Sequence, residues 1–541
     1  MQLTHTQQNL STLQNLFPTA DGILHSETVP TPGADQSGIP VGTVEPCGPT
    51  ATNEHVFVRV PAVSRPHALR GRFVKIIDKV RGTRFLGRII AGPFFPEGSE
   101  GDIHIKVEIE GELAGRGTTD THDRPAAGSP VRALTAERVG ELVGCTGNMR
   151  LGTMAGWDAV PFALPSQSKN VLPRNVGIFG TVGSGKSNTA QVLIEEAAAG
   201  GWAVVVIDVE GEYVEMDEPV DQPGLEPVLA RHDRKPQGIR DFDIIHPASC
   251  ASERPDSRPF TLRLADFETP VVKELIQATM PERNALMDCV EHFQMKLRTK
   301  SPTTETDWLL GLLNPSPQAA RAFTLQQLYD RARERSSKTT ELFDYLGLAT
   351  KLLWLINSGA FDQPNVPSLD PVGMLAPGRV TVVDVSVAND TVKNLATADL
   401  LKKVFADKLL RENAPPTLVV VEEAHSFISR EKAPTMQATL EMLRTVTRRG
   451  RKRWLATAFV SQQPGHLPPE IFELCNTRLV HNLRSMHNLD ALMATTGDIA
   501  SEMWARCPLL GTGECVVSSP QLNRPTVVSM RPAASRRKFT R

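Results

Sequence analysis

Aromatic side chains are scarce in this chain: Phe, Tyr and Trp together make up 5% of its 541 residues. So few rings leave no row of stacking platforms for unpaired bases. Net charge is almost missing as well. Lys and Arg number 59 against 61 Asp and Glu, a formal charge of −2. No global field draws the chain to a polyanion, so any contact with DNA must come from a local basic patch. The seven cysteines (Cys47, Cys145, Cys250, Cys289, Cys475, Cys507 and Cys515) form no C-x-x-C pair. That argues against a zinc site and for a reducing compartment. No run approaches the roughly 20 apolar residues of a spanning helix, and the first residues lack the apolar core of a signal sequence. The expectation is a cytoplasmic protein with no membrane partner.

What remains is ordinary for a globular protein: 40% hydrophobic and 22% charged residues, in a length that suits two or three domains. Residues 1–52 are rich in Thr, Gln, Pro and Gly and read as an irregular arm. From His55 the runs HVFVRV, GRFVKIID, RFLGRIIAG and DIHIKVEIEGEL alternate apolar and polar residues between Gly and Pro punctuation. The spacing predicts a small antiparallel barrel over 53–165, closing near Met149 to Phe162. An α/β core is expected over 166–265, where continuous apolar strands such as WAVVVID suit a buried parallel sheet. Residues 266–370 keep a 3.6-residue apolar period and read as a helical subdomain. The core resumes over 371–519, and 520–541 form a basic tail or lid ending in Arg536, Arg537, Lys538 and Arg541.

The stretch that organises the chain is Gly180-Thr181-Val182-Gly183-Ser184-Gly185-Lys186-Ser187, a G-x-x-x-x-G-K-S loop between an apolar strand (NVGIF) and a helix (NTAQVLIEEAAA). Such a loop turns backbone N–H groups toward phosphate oxygens, and the helix N-terminus adds a positive dipole end. Gly180, Gly183, Ser184, Gly185, Lys186, Ser187 and Asn188 are the candidate nucleotide contacts. Lys186 is expected on the β- and γ-phosphates, and the Ser187 hydroxyl on Mg²⁺.

Acids follow at the ends of apolar strands. WAVVVID gives way to Asp208, Glu210 and Glu212, and TLVVVE ends in Glu422-Glu423-Ala424-His425. Carboxylates at the C-terminal ends of parallel strands border the ligand cleft. A solvated loop is the alternative for Asp208 and Glu212, and a helix N-cap for the pair at 422–423. In the cleft reading Glu422 holds Mg²⁺ and Glu423 activates the attacking water. Downstream, Arg448, Arg449, Arg451, Lys452 and Arg453 crowd the end of a predicted helix. They complement its dipole, face DNA, or supply an arginine to a neighbour's γ-phosphate, with Arg448 and Arg451 the candidates. Gln462, at the end of WLATAFVS, is placed to sense that phosphate.

Taken together and in order, G-T-x-G-S-G-K-S, D-x-x-G-E-Y, E-E-A-H, R-G-R-K and S-Q-x-P behind a barrel-like region resemble the HerA branch of the HerA/FtsK translocases, over roughly residues 55–531. The resemblance implies a RecA-like P-loop core behind a small β-barrel, with a helical insertion. It also implies a homo-hexameric ring around double-stranded DNA, coupling ATP hydrolysis to translocation with Mg²⁺. Family members work with a partner nuclease or another effector, such as an NAD-consuming enzyme, in DNA end processing or anti-phage defence. Arg174 matches a basic position that contributes to the ATP site in relatives. Asp208 and Glu212 match the acids of D-x-x-G-E-Y, and Gln462 the glutamine of S-Q-x-P. Gln463 and the stretch His481-Asn482-Leu483-Arg484 depart from the family pattern. Two other readings share the core: an ATP-binding scaffold that assembles an effector, and a conjugation or secretion ATPase.

Overall fold

The computed structural model describes residues 38–46, 55–95, 101–115, 117–267, 269–298, 323–338, 340–426, 437–497, 499 and 501–538. Most of the expected N-terminal arm lies outside them. The chain divides into two compact units, residues 1–134 and 135–541.

The first unit is an antiparallel barrel. Its strands are β1 (Pro40–Val44), β2 (His55–Val60), β3 (Phe73–Ile77), β4 (Arg84–Phe94), β5 (Ile103–Ala114), β6 (Gly117–Thr119) and β7 (Pro130–Ala133). Six of them run β2-β1-β7-β3-β4-β5, and β5 pairs back onto β2 to close the circle. Alternation decides which side chains fill it: Val56, Val58 and Val60 of β2 meet Ile103, Ile105 and Val107 of β5 inside. Two boundaries differ from the sequence reading. The barrel begins at Pro40, inside the stretch expected to be an irregular arm, because five residues containing Pro and Gly are too short to show a period. It ends at Ala133, well before 165.

The second unit is built on a 12-stranded mixed sheet. After the helix α1 (Ala136–Val143) come β8 (Met149–Met154), β9 (Trp157–Leu164), β10 (Val176–Phe179), the helix α2 (Lys186–Ala199), β11 (Ala203–Asp208), β12 (Phe242–Pro247) and β13 (Arg258–Phe260). Then come β14 (Val380–Asp384), β15 (Thr417–Val421), β16 (Leu455–Ser461), β17 (Thr477–Val480), β18 (Glu514–Ser518) and β19 (Thr526–Met530). Their order is β13-β12-β14-β11-β15-β16-β10-β17-β18-β19-β8-β9. From β13 to β17 every pairing is parallel, and from β17 to β9 every pairing is antiparallel. The parallel strands β10, β11, β14, β15 and β16 are buried at every residue, which is why they read as unbroken apolar runs. Each Val or Ile so buried contributes roughly 1.5–3 kcal/mol.

The hairpin β8–β9 joins this sheet through β19 and is not the closing part of the barrel. Alternation identifies a strand but not its partner. Helices Met280–Arg298, Leu325–Ser336 and Leu342–Asn357 pack into the same core as the sheet. Among the described residues no helix is long and apolar enough to cross a membrane.

Candidate functional site

Parallel strands deliver their C-terminal ends to one edge of the sheet, and the candidate residues gather there. Phe179 ends β10, and the loop 180–185 turns into α2 at Lys186. Gly183 and Gly185 take φ of 74° and 108°, values that L side chains rarely adopt. A Cβ on Gly185 would also stand 3.0 Å from the backbone of Gly513. The loop is braced from outside itself. Thr181 donates its N–H to Asn482 O at 2.8 Å, and Gly513 donates to Ser184 O at 2.9 Å. Lys186 is 5% exposed and reaches back to Thr181 O at 3.3 Å. Burial pulls its ammonium below its usual pKa, against the carboxylates of Glu423, Glu422 and Glu212. Those three acids are therefore near enough for their charges to reach the lysine.

Glu422 and Glu423 follow β15, one strand removed from β10 across β16. Glu422 is 2% exposed, and burial, reinforced by Asp208, drives its carboxyl well above the carboxylate range. Its Oε2 makes no hydrogen bond of good geometry among the described residues, though the buried Tyr213 hydroxyl lies beside the carboxyl. A buried, unsatisfied carboxyl beside a phosphate loop is a group that a divalent cation compensates. Among the described residues no three His, Cys, Asp or Glu side chains converge as a metal cage. Mg²⁺ binds through one or two protein oxygens plus substrate phosphates, not through a dedicated cage. The buried, unsatisfied oxygen of Glu422 fits such a cation.

Glu423 behaves differently. Burial raises its pKa, but the His425 ring 3.0 Å from its Oε2, the hydrogen bond from Gln462 and the charge of Lys186 prevail and hold it below the ordinary value. It stays a carboxylate, as a base must. Gln462 Nε2 donates to its Oε1, and His425 Nδ1 lies 3.0 Å from its Oε2. Ser461 Oγ sits 3.3 Å from the same His425 nitrogen. Gln462 thus positions the acid directly. Glu423 itself has φ of 40°, a left-handed backbone that costs a non-glycine residue on the order of 1–3 kcal/mol and clusters at functional sites. Motif reading included His425 in E-E-A-H but gave it no role; its spacing two residues after the acid was the available signal.

His481 is a second such residue. It is fully buried behind the loop, with Nδ1 2.9 Å from Glu514 O and Nε2 3.0 Å from Thr189 Oγ1. A carbonyl only accepts, so Nδ1 carries the proton and Nε2 accepts from Thr189. The ring is neutral, its pKa pushed down to about 4 by burial, with Lys186 adding to the effect. The native pKa lies below the unfolded value of 6.5, so the unfolded chain binds the extra proton first. Stability should therefore fall as pH drops from 6.5 toward 4, by about 3 kcal/mol in full. Urea unfolding at pH 7.5 and at pH 5, compared with His481→Gln, reads this directly. The wild type should lose more than the variant; equal losses would contradict the assignment.

Several predicted contacts lie elsewhere. Asp208 lies close enough to act on Glu422, but its oxygens are occupied by the backbone. Its Oδ1 accepts from the amides of Glu210, Gly211 and Glu212, and its Oδ2 from Tyr213 N at 2.8 Å. It folds the D-x-x-G-E-Y loop and thereby presents Glu212. Asn188 is likewise occupied: its Nδ2 donates to Arg531 O and its Oδ1 accepts from Ala533 N. Arg174 precedes β10, at the opposite end of that strand from the loop, a strand rise of about 13 Å away. It sits instead beside Arg451, and burial together with that second guanidinium lowers its pKa. Arg448, Arg449 and the turn Gly450–Arg453 lie before β16, so Arg451 is separated from Gln462 by the length of a seven-residue strand, about 20 Å. Neither Arg448 nor Arg451 belongs to the cleft of its own chain.

The basic tail is no loose end. Arg531 is 1% exposed; its Nη2 donates to Glu195 and Glu196 at 2.8 Å, and its Nε to Arg150 O at 3.0 Å. Ala534 and Ser535 donate their amides to Glu195 Oε1, and Gln191 holds Ser535 O. Residues 531–538 thus form a strap along α2. Lys538 N donates to Glu212 O at 3.0 Å, and Arg537 Nη1 stands 3.6 Å from Glu212 Oε2.

Residues 149–404 match the helicase HerA central domain. The chain is 22% identical over 458 residues to a probable DNA double-strand break repair helicase HerA of Methanocaldococcus jannaschii, covering 79% of this chain and 84% of that protein. To the DNA double-strand break repair helicase HerA of Sulfolobus acidocaldarius it is 21% identical over 449 residues, covering 81% and 78%. Among solved structures it resembles VirB4 of Thermoanaerobacter pseudethanolicus at a TM-score of 0.48 and 17% identity, over 72% of this chain and 97% of that one.

Proposed function

We propose that this chain is a HerA-type P-loop ATPase and a ring-forming, ATP-driven translocase on double-stranded DNA. The observation that carries this reading is the split of its chemistry between the two ends of the parallel strands. Lys186, Glu422, Glu423 and Gln462 meet at the C-terminal ends. Arg448 and Arg451 are exposed beyond the N-terminal end of β16. They are too far from their own cleft to act there, and a second copy would bring Arg448 or Arg451 of the partner subunit to the γ-phosphate. Such a head-to-tail contact closes into a ring, here a homo-hexamer.

In this site the loop amides and Lys186 would hold the triphosphate. Glu422 and Ser187 would hold Mg²⁺, which when bound neutralises charge on the β- and γ-phosphates. Glu423, kept ionised and aimed by His425 and Gln462, would take the proton of the attacking water. An arginine from the next protomer would stabilise charge on the transferred phosphoryl group. The names of the relatives favour a role in DNA double-strand break repair; work with a partner nuclease there, or with another effector in anti-phage defence, would use the same motor.

Native mass measured with and without ATP, paired with ATP turnover titrated with duplex DNA, tests the reading. A hexamer whose turnover rises with duplex is expected. Assembly without any stimulation by duplex would favour an ATP-binding scaffold instead.

A further inference from the structure

Arg448, Arg449, Arg451, Lys452 and Arg453 crowd the end of the helix Gln437–Arg449 and the turn Gly450–Arg453. Among the described residues none of the five pairs with a carboxylate. Like charges this close repel, and Arg451 also stands near Arg174. No ion pair therefore holds the turn in one shape. The residue that follows it does. Trp454 takes φ of 56° and ψ of 37°, a left-handed backbone. For so bulky a side chain that is an outlier, whereas glycine adopts it freely. The ring offsets the strain. It packs against Trp202 with centroids 6.0 Å apart at 66°, and the Lys169 ammonium lies 5.5 Å from its centroid. Trp202 is fully buried and donates its Nε1 to Ser166 O at 3.2 Å, so the anchor is fixed in the core. The main chain is tied as well. Trp454 donates its N–H to Arg451 O at 3.4 Å, and its carbonyl accepts from Thr417 N at 2.8 Å. At the other end of the turn a Cβ on Gly450 would stand 2.5 Å from Leu455 O. The chain thus doubles back tightly onto the start of β16.

We propose that Trp454 is a positioning residue for ATP turnover: wedged against Trp202, it holds the Gly450–Arg453 turn in the shape that presents Arg451 to a second copy's triphosphate. This rests on the intersubunit reading above and names the device that aims the arginine. Arg448 belongs to the helix before the turn, so the wedge acts on Arg451. A strained backbone persists only where its surroundings over-determine it, and such strain clusters at functional sites. The turn is exposed and repels itself, so the tryptophan orders it before a second copy arrives.

Trp454→Gly in the full chain removes the ring and leaves a residue suited to the left-handed backbone. Trp454→Phe keeps a ring against Trp202. A misplacement of about 1 Å costs on the order of 10²-fold in rate. The kcat of Trp454→Gly should therefore fall at least about tenfold, while its equilibrium ATP affinity stays within about threefold of wild type. Trp454→Phe should recover most of the turnover. Mixing Trp454→Gly with Glu423→Gln should also restore turnover, because the second variant supplies a turn with its tryptophan intact. A merely structural role would lower ATP binding and kcat together and would not be complemented. A kcat for Trp454→Gly within about twofold of wild type, parallel loss of ATP binding, or no recovery on mixing would overturn the proposal. Normal turnover in Arg448→Ala/Arg451→Ala would instead remove the intersubunit reading on which it rests.

Discussion

Glu423→Gln should stop ATP turnover while leaving the nucleotide bound. The substitution keeps the shape of the side chain and removes only its capacity to accept a proton. His425 and Gln462 already hold Glu423 ionised and oriented, so their arrangement has no use without the charge. General-base loss of this kind costs about 10²–10⁴-fold in rate. Nucleotide affinity should hold or tighten, because one negative charge leaves a cleft that receives a polyanion. Steady-state turnover and equilibrium ATP binding on the same preparation separate the two effects. Turnover within a few-fold of wild type would mean that another group is the base.

The second large effect concerns stability. Arg531 is a buried cation near the chain's end, donating to Glu195 and Glu196, to Arg150 O and to Pro532 O. Arg531→Ala would leave Glu195 and Glu196 with less compensation inside the protein. Breaking such a buried pair costs about 3–5 kcal/mol. Arg531→Lys should recover little, since an ammonium cannot span four acceptors in a fork. Urea denaturation of residues 135–541 in the full chain is the measurement. A change below about 1 kcal/mol would mean the strap contributes little to the fold.

These two residues also mark what the sequence could and could not disclose. The phosphate loop and the acid pair at 422–423 were legible because local spacing alone makes them work. A strand must end where the loop begins, and acids must follow an apolar run. Orientation is not encoded that way. Asp208 stands where a cleft acid should, yet its oxygens are taken by four backbone amides. Asn188 follows the loop as a ligand contact would, yet it holds the strap. Arg531 reads as one more tail charge, because its partners, Glu195 and Glu196, lie more than 300 residues upstream on α2. The hairpin β8–β9 reads as barrel because alternation is the same in a barrel and at a sheet edge. What escaped the sequence was pairing over long distances, which no local period records.

The central claim is that one protomer's acid and another's arginine act on the same triphosphate. Mixing two inactive proteins tests it most directly. Glu423→Gln keeps its arginines; Arg448→Ala/Arg451→Ala keeps its base. If the sites lie between subunits, coassembly creates intact interfaces, roughly a quarter of the total for random mixing in a head-to-tail ring. Turnover should then reappear on mixing and grow with the fraction of mixed rings. If the mixture stays as inactive as its parts, or if Arg448→Ala/Arg451→Ala alone turns over ATP normally, the shared site does not exist.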